Sequence, residues 1–243
     1  MNKNIFKSGY KAILFILLLS APLLIGGCGN QKSSDPKNPY GLYIINTTEA
    51  YQKSIVEDEN NRLVDLQKYI PGIVLDIRYA DTNNFTHTKI YSLPMAFLRK
   101  PAADSLLKIQ KFLARQGLGL KIYDAYRPYS GTLYFYEVYP DTTFVAAPWK
   151  GSIHNRGCAV DLTLINLSTG EELEMPTLFD DFSEKASQNY IDLDSLKLAN
   201  RATLLKIMTE NGFTIYEHEW WHYNLKDRDK YKLMDISFEE LTK

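Results

Sequence analysis

Cysteine is nearly absent from this sequence of 243 residues: there are two, Cys28 and Cys158. One pair at most cannot make a disulfide scaffold, so the fold has to rest on its core. Neither sign of charge prevails, with 28 Lys and Arg against 29 Asp and Glu and a formal net charge of −1. Basic residues are scattered, with no run beyond isolated pairs. Nothing in that balance favours nucleic acid or an anionic surface as a partner, and nucleic-acid binding is set aside. Histidine is scarce as well, at four: His87, His154, His218 and His222. There is no His-Glu-x-x-His, which removes the helical zincin motif, and no internal repeat. What remains is ordinary globular composition, 45% hydrophobic and 23% charged, enough to bury one sizeable core.

The N-terminus differs from the rest. Lys3, Lys7 and Lys11 precede an apolar run over residues 12–25, broken only by Ser20 and Pro22. That run is short of the roughly 20 residues that span a membrane comfortably, so it reads as an export signal rather than an anchor helix. The order Leu24-Ile25-Gly26-Gly27-Cys28 resembles a bacterial lipobox. The resemblance implies cleavage before Cys28 and a lipid on its sulfur, anchoring without a transmembrane helix. The next eleven residues, GNQKSSDPKNP, are polar with two prolines and read as a tether. The expected organisation is a signal peptide at 1–27, a lipidated cysteine and flexible tether at 28–39, and one folded domain at 40–243. The expected location is that of an exported bacterial lipoprotein, held on a membrane and facing the periplasm or the cell exterior.

Within the domain, residues 73–79 are rich in branched side chains and predict a strand. Residues 101–116 predict an amphipathic helix, with Pro101 at its first position, Leu106, Leu107, Ile109 and Leu113 at helical spacing, and Gly117 as its stop. Residues 118–123 predict a strand leading to Arg127-Pro128, and 159–165 another. Residues 194–211 predict a second helix that turns Leu196, Leu198, Leu204, Leu205 and Met208 inward and ends at Gly212. Residues 213–216 and 222–225 read as closing strands. Helices and strands mix without regular alternation, which indicates an α+β fold: one compact domain, a small mixed or antiparallel sheet and flanking helices.

Two of the histidines stand in unusual company. His154 lies in Ser152-Ile153-His154-Asn155-Arg156-Gly157-Cys158-Ala159-Val160-Asp161, where a glycine turn separates it from Asp161 on the following strand. His222 lies in Glu219-Trp220-Trp221-His222-Tyr223. Two histidines and one carboxylate are a standard zinc set that leaves a fourth position for water. A carboxylate that does not ligate the metal can then move the proton, and Glu219 is the candidate. Residues three apart on a regular strand face opposite ways, so Glu219 is expected in a bend or bulge before the strand. Plainer readings stand beside these. His87 and His218 read as hydrogen-bonded core or surface residues. Asp161 could pair with a basic residue, and the two tryptophans would be core aromatics that also wall a site. Cys158 reads as a small buried hydrophobe.

The clusters SIHNRGCAVD and EWWHY resemble the zinc D-alanyl-D-alanine dipeptidases of the vancomycin-resistance type, within a group of zinc peptidases that includes D,D-carboxypeptidases. Further matches lie at DIRYADTNNF, YDAYRP and MPTLFD, so the likeness runs from about Val74 to Leu225. It implies that His154, Asp161 and His222 bind one zinc ion per chain and that Glu219 is general base and acid. It implies that Arg127 polarises the scissile carbonyl, although taken alone Arg127 reads as a structural salt bridge. It also implies that Asp180, Tyr79 and Ser152 hold the free amine of a small dipeptide. Pro176 departs from the family's usual glycine, so the loop delivering Asp180 is expected to take its own shape. The implied activity is hydrolysis of free D-alanyl-D-alanine to D-alanine. Two alternatives are a D,D- or L,D-carboxypeptidase acting on peptidoglycan stems and a catalytically silent cell-wall-binding lipoprotein. The lipid anchor would make the membrane a partner, and no protein partner is indicated.

Overall fold

The computed structural model describes residues 37–243; the proposed signal peptide, Cys28 and most of the tether lie outside that range. Nine strands run in chain order as β1 (Ile44–Ile45), β2 (Leu63–Asp65), β3 (Val74–Leu75), β4 (Phe97–Arg99), β5 (Leu118–Asp124), β6 (Ala159–Asn166), β7 (Phe213–Tyr216), β8 (Glu219–Leu225) and β9 (Leu233–Met234). The helices are α1 (Thr48–Glu57), α2 (Leu66–Tyr69), α3 (Lys100–Ala114), α4 (Tyr129–Val138), α5 (Ser195–Glu210) and α6 (Phe238–Leu241). The fold is α+β. Its main sheet has the order β3-β5-β6-β8-β7, with β3 parallel to β5 and every other neighbour antiparallel. Two small pairs, β1 with β9 and β2 with β4, complete the sheets among the described residues.

Strand β6 is the middle of the main sheet and is buried from Ala159 through Ile165. Helix α3 packs beside β5 through Ala102, Ala103, Leu106, Ile109 and Leu113. Its one buried polar residue, Gln110, is matched at both ends, accepting from the Leu120 N–H at 2.9 Å and donating to the Gly72 carbonyl at 3.2 Å. Leu107 stays half-buried on the flank. Helix α5 starts on Asp194, whose side chain accepts from the Lys197 N–H at 2.9 Å, and packs against β6, β7 and β8. Its inward face differs from the expected one. Leu196 is 53% exposed, while Arg201, Leu204, Ile207 and Met208 are buried. Arg201 can lie inside because its guanidinium donates to the Ser187 carbonyl at 3.0 Å.

The expected strand over 73–79 is cut short. Only Val74 and Leu75 pair with β5, and Tyr79 stands in a 3₁₀ turn, Arg78–Ala80. That turn drives the Tyr79 ring into a cluster with Phe135 at 4.6 Å, Tyr91 at 5.7 Å and Phe85 at 6.2 Å.

Candidate metal centre and active site

Sheet register assembles the centre. Asp124 on β5 lies directly opposite Asp161 on β6, and Asp161 lies opposite His222 on β8. Directly opposed residues on neighbouring strands share a face, so three polar side chains stand in a row across the middle of the sheet. His154 joins them from the 3₁₀ turn His154–Arg156, which ends on Gly157 at φ 68°. That turn requires glycine twice over. The left-handed backbone disfavours other residues, and a Cβ would stand 2.5 Å from Leu63 Cδ2.

Three atoms converge. His154 Nε2 and His222 Nδ1 are 3.2 Å apart, and Asp161 Oδ1 is 3.5 Å from the first and 2.9 Å from the second. Tetrahedral zinc with ligands at about 2.0–2.1 Å places ligand atoms about 3.3 Å apart, so this triangle has the size such an ion needs. The far nitrogens are also fixed. His154 Nδ1 faces the Ala125 carbonyl at 2.6 Å and His222 Nε2 faces the Asn224 side-chain oxygen at 2.9 Å. Protons on those nitrogens leave lone pairs on the two that converge, the arrangement that orients metal-binding histidines. Burial alone would raise Asp161, but His154 and His222, when they carry a positive charge, outweigh it and hold the carboxyl below its ordinary range. Among the described residues Asp161 pairs with no Lys or Arg; its partners are the two imidazoles.

Glu219 opens β8 itself, and the irregularity lies just after it. Tyr216 pairs with Glu219 while Ile215 already pairs with Tyr223, so residues 220–222 bulge away from β7. The bulge brings Glu219 and His222 into one cavity despite their spacing, with Glu219 Oε2 3.7 Å from His222 Nδ1. Burial pushes the Glu219 carboxyl up to about 8; His222 opposes that, and the Asp161 and Asp180 carboxylates add to it.

Arg127 is buried, and its Nε and Nη2 both donate to Asp124 Oδ2, at 3.1 and 2.7 Å. The salt bridge read from the sequence is thus real, and it does not withdraw the side chain from the cavity that Arg127 lines. The guanidinium lies 4.4 Å over the Phe135 ring and 5.4 Å from that of Tyr79. Asp124 escaped sequence reasoning. Besides Arg127 it accepts from the Tyr91 hydroxyl and the Ala125 N–H, each at 2.9 Å. Asn155, also missed, donates to the Arg127 carbonyl and to Thr132 Oγ1, and accepts from the Ser152 N–H. The available signals were a carboxylate ending an apolar strand three residues before Arg127, and an asparagine directly after His154.

The cavity, of about 220 Å³, also holds Asp180, Tyr79 and Ser152. The Tyr79 hydroxyl donates to the two Asp180 oxygens at 3.1 and 3.2 Å, and Ser152 Oγ accepts from the His154 N–H at 3.2 Å. Asp180 is half-buried with φ 61°. Burial, reinforced by the nearby Asp161 charge, pushes its carboxyl up to about 8 against the pull of the Tyr79 hydrogen bond. Such a group binds its proton more tightly when folded. The stability it contributes is present below its unfolded pKa of about 3.9 and is lost as the pH rises through about 8. Asp180→Asn keeps an acceptor for Tyr79, so it should raise the Tm of the metal-free protein near pH ~9 and leave it nearly unchanged near pH ~4. A thermal scan at the two pH values checks this, and equal shifts at both count against it.

Trp221 lines the cavity, whereas Trp220 lies on the other side of β8. His87 and His218 are exposed and take no part in the cluster. Cys158 is buried, and burial pushes its thiol up to about 12, which leaves it an inert small hydrophobe.

A family model described as D-ala-D-ala dipeptidase matches residues 59–240. The D-alanyl-D-alanine dipeptidase of Escherichia coli (strain K12) is 34% identical over 180 residues, covering 74% of this chain and 93% of that protein. The protein of the same name from Enterococcus faecium is 33% identical, covering 67% of this chain and 90% of its own length. That from Enterococcus faecalis (strain ATCC 700802 / V583) is 32% identical, with 69% and 93% covered. A family match across most of the folded region, and relatives aligned over nearly their whole length, place this chain in the D-alanyl-D-alanine dipeptidase family.

Proposed function

We propose that this protein is a zinc-dependent dipeptidase that hydrolyses free D-alanyl-D-alanine to D-alanine. The observation that carries the reading is one small cavity in which the convergent His154, Asp161 and His222 share the walls with Glu219, Arg127 and Asp180. His154, Asp161 and His222 would hold the ion. Zinc supplies a Lewis acid there, and such an ion brings the pKa of water from 15.7 to about 7. Glu219 accepts the proton of the attacking water and delivers it to the leaving amine. Arg127, kept protonated by Asp124, faces the oxygen on which negative charge grows. Removing one such donor costs about 2.7–4 kcal/mol of barrier in comparable sites.

Asp180, with Tyr79 and Ser152, receives the substrate's ammonium group. An ammonium ion restores the charged form that burial opposes, whereas an acylated nitrogen leaves the carboxylate without a partner. That difference separates a dipeptidase from a carboxypeptidase, which must accept a blocked amine. With zinc supplied, the protein should cleave D-alanyl-D-alanine and leave N-acetyl-D-alanyl-D-alanine essentially untouched. Faster cleavage of the acetylated peptide would assign it to the carboxypeptidases instead.

We further infer that the chain is exported and held to a membrane through lipid on Cys28. The basic start, the short apolar run and the Leu-Ile-Gly-Gly-Cys order support this. An enzyme placed there meets dipeptide released outside the cytoplasm, which fits recovery of D-alanine better than depletion of a cytoplasmic precursor.

A further inference from the structure

Residues 175–182, the segment that carries Asp180, belong to no helix or strand and carry one turn, at Phe179–Asp180. It runs between two cavities. The active-site cavity lies on one side, and a second, of about 600 Å³, lies on the other and is lined by residues 172–180. Asp180 nevertheless adopts the left-handed φ of 61°, a conformation that persists in a non-glycine residue when its surroundings impose it. Side-chain contacts hold the segment on both sides. Phe179 stacks on Tyr123 at 4.7 Å and meets Trp221 edge-on at 5.4 Å. The buried Trp220 donates its indole N–H to Thr177 Oγ1 at 2.9 Å, and that hydroxyl donates onward to the Leu178 carbonyl at 2.9 Å.

We propose that Trp220 is a positioning residue for recognition of the substrate's amine: its indole N–H on Thr177 fixes the loop that presents Asp180. This rests on Asp180 being the amine site. Trp221 lines the active-site cavity and Trp220 the second one, so the two tryptophans divide their tasks. Trp221 walls the cavity while Trp220 grips the loop from behind. Strand β8 then carries the proton-transfer residue Glu219, the metal ligand His222 and the grip on the amine anchor within four consecutive residues.

The test uses full-length protein carrying Thr177→Val, Thr177→Ser or Trp220→Phe. KM and kcat for D-alanyl-D-alanine, zinc per chain and deuterium exchange of the 175–182 peptide are measured for each. Thr177→Val and Trp220→Phe should raise KM about tenfold and speed exchange of that peptide, with kcat within about twofold and zinc unchanged. Thr177→Ser, which keeps the hydroxyl, should behave as the wild type. Unchanged KM and exchange in Thr177→Val, or a Thr177→Ser as impaired as the valine variant, overturns the proposal. So does a loss confined to kcat. A wild-type protein that cleaves free and acetylated dipeptide alike refutes the amine-site reading together with the proposal. A discriminating wild type whose valine variant keeps its KM refutes the proposal alone.

Discussion

Glu219→Gln is expected to lower kcat for D-alanyl-D-alanine by about 10²–10⁴-fold while the protein keeps one zinc ion per chain. The amide fills the volume of the carboxylate and can hydrogen-bond, so the cavity wall survives, but it cannot accept a proton at any working pH. Zinc should stay because Glu219 is not one of the three converging groups; its Oε2 lies 3.7 Å from His222 Nδ1, outside the triangle of ligand atoms. Turnover and metal content measured on the same sample separate the two effects. Full zinc with undiminished kcat would remove Glu219 from the reaction.

His154→Ala should abolish activity by a different route. It deletes one corner of the triangle and leaves Asp161 and His222 with two ligand atoms for an ion that takes three from the protein in catalytic sites. Loss of a partner that merely orients a ligand weakens metal affinity about 10–100-fold, and loss of the ligand itself should exceed that. The variant should therefore emerge from dialysis against a weak chelator almost without zinc, and be inactive. The His154 ring also fills buried space beside the Ala125 carbonyl, so folding is to be confirmed by circular dichroism. A folded His154→Ala with stoichiometric zinc would break the assignment of the centre.

The centre was legible because its members are local in sequence. His154 and Asp161 are joined by a single turn into one strand, and Glu219 and His222 by two residues of another. Short segments carry their geometry with them, and the glycine between His154 and Asp161 marks the turn that aims the imidazole. The main strands and the two long helices were readable for the same reason, since their period is visible within one window. Asp124 was not, because its importance lies in a cross-strand pairing with Asp161 that no local pattern announces. Tyr79 looked like the end of a strand. It stands instead in the Arg78–Ala80 turn, where its ring packs with Phe85, Tyr91 and Phe135, long-range contacts that local β-propensity does not report. The inward face of α5 was misread where Arg201 takes a place that apolar periodicity assigns to leucine; a single carbonyl acceptor makes that exchange possible. With Pro176 in the loop, Asp180 reaches the cavity and its Tyr79 partner.

The short pairing of β1 with β9 sets a boundary for anyone trimming the gene. Ile44 and Ile45 lie beside Leu233 and Met234, and just beyond them the Ile236 N–H and carbonyl both bond the Tyr126 hydroxyl, next door to Arg127. Tyr51 on α1 receives the Leu63 N–H at 2.7 Å, and Leu63 is the side chain that crowds Gly157 in the His154 turn. Similarity to the family begins only at residue 59, so a version cut there would discard the N-terminal buttress of the catalytic floor. A shortened form intended for solution work has to start ahead of Tyr43.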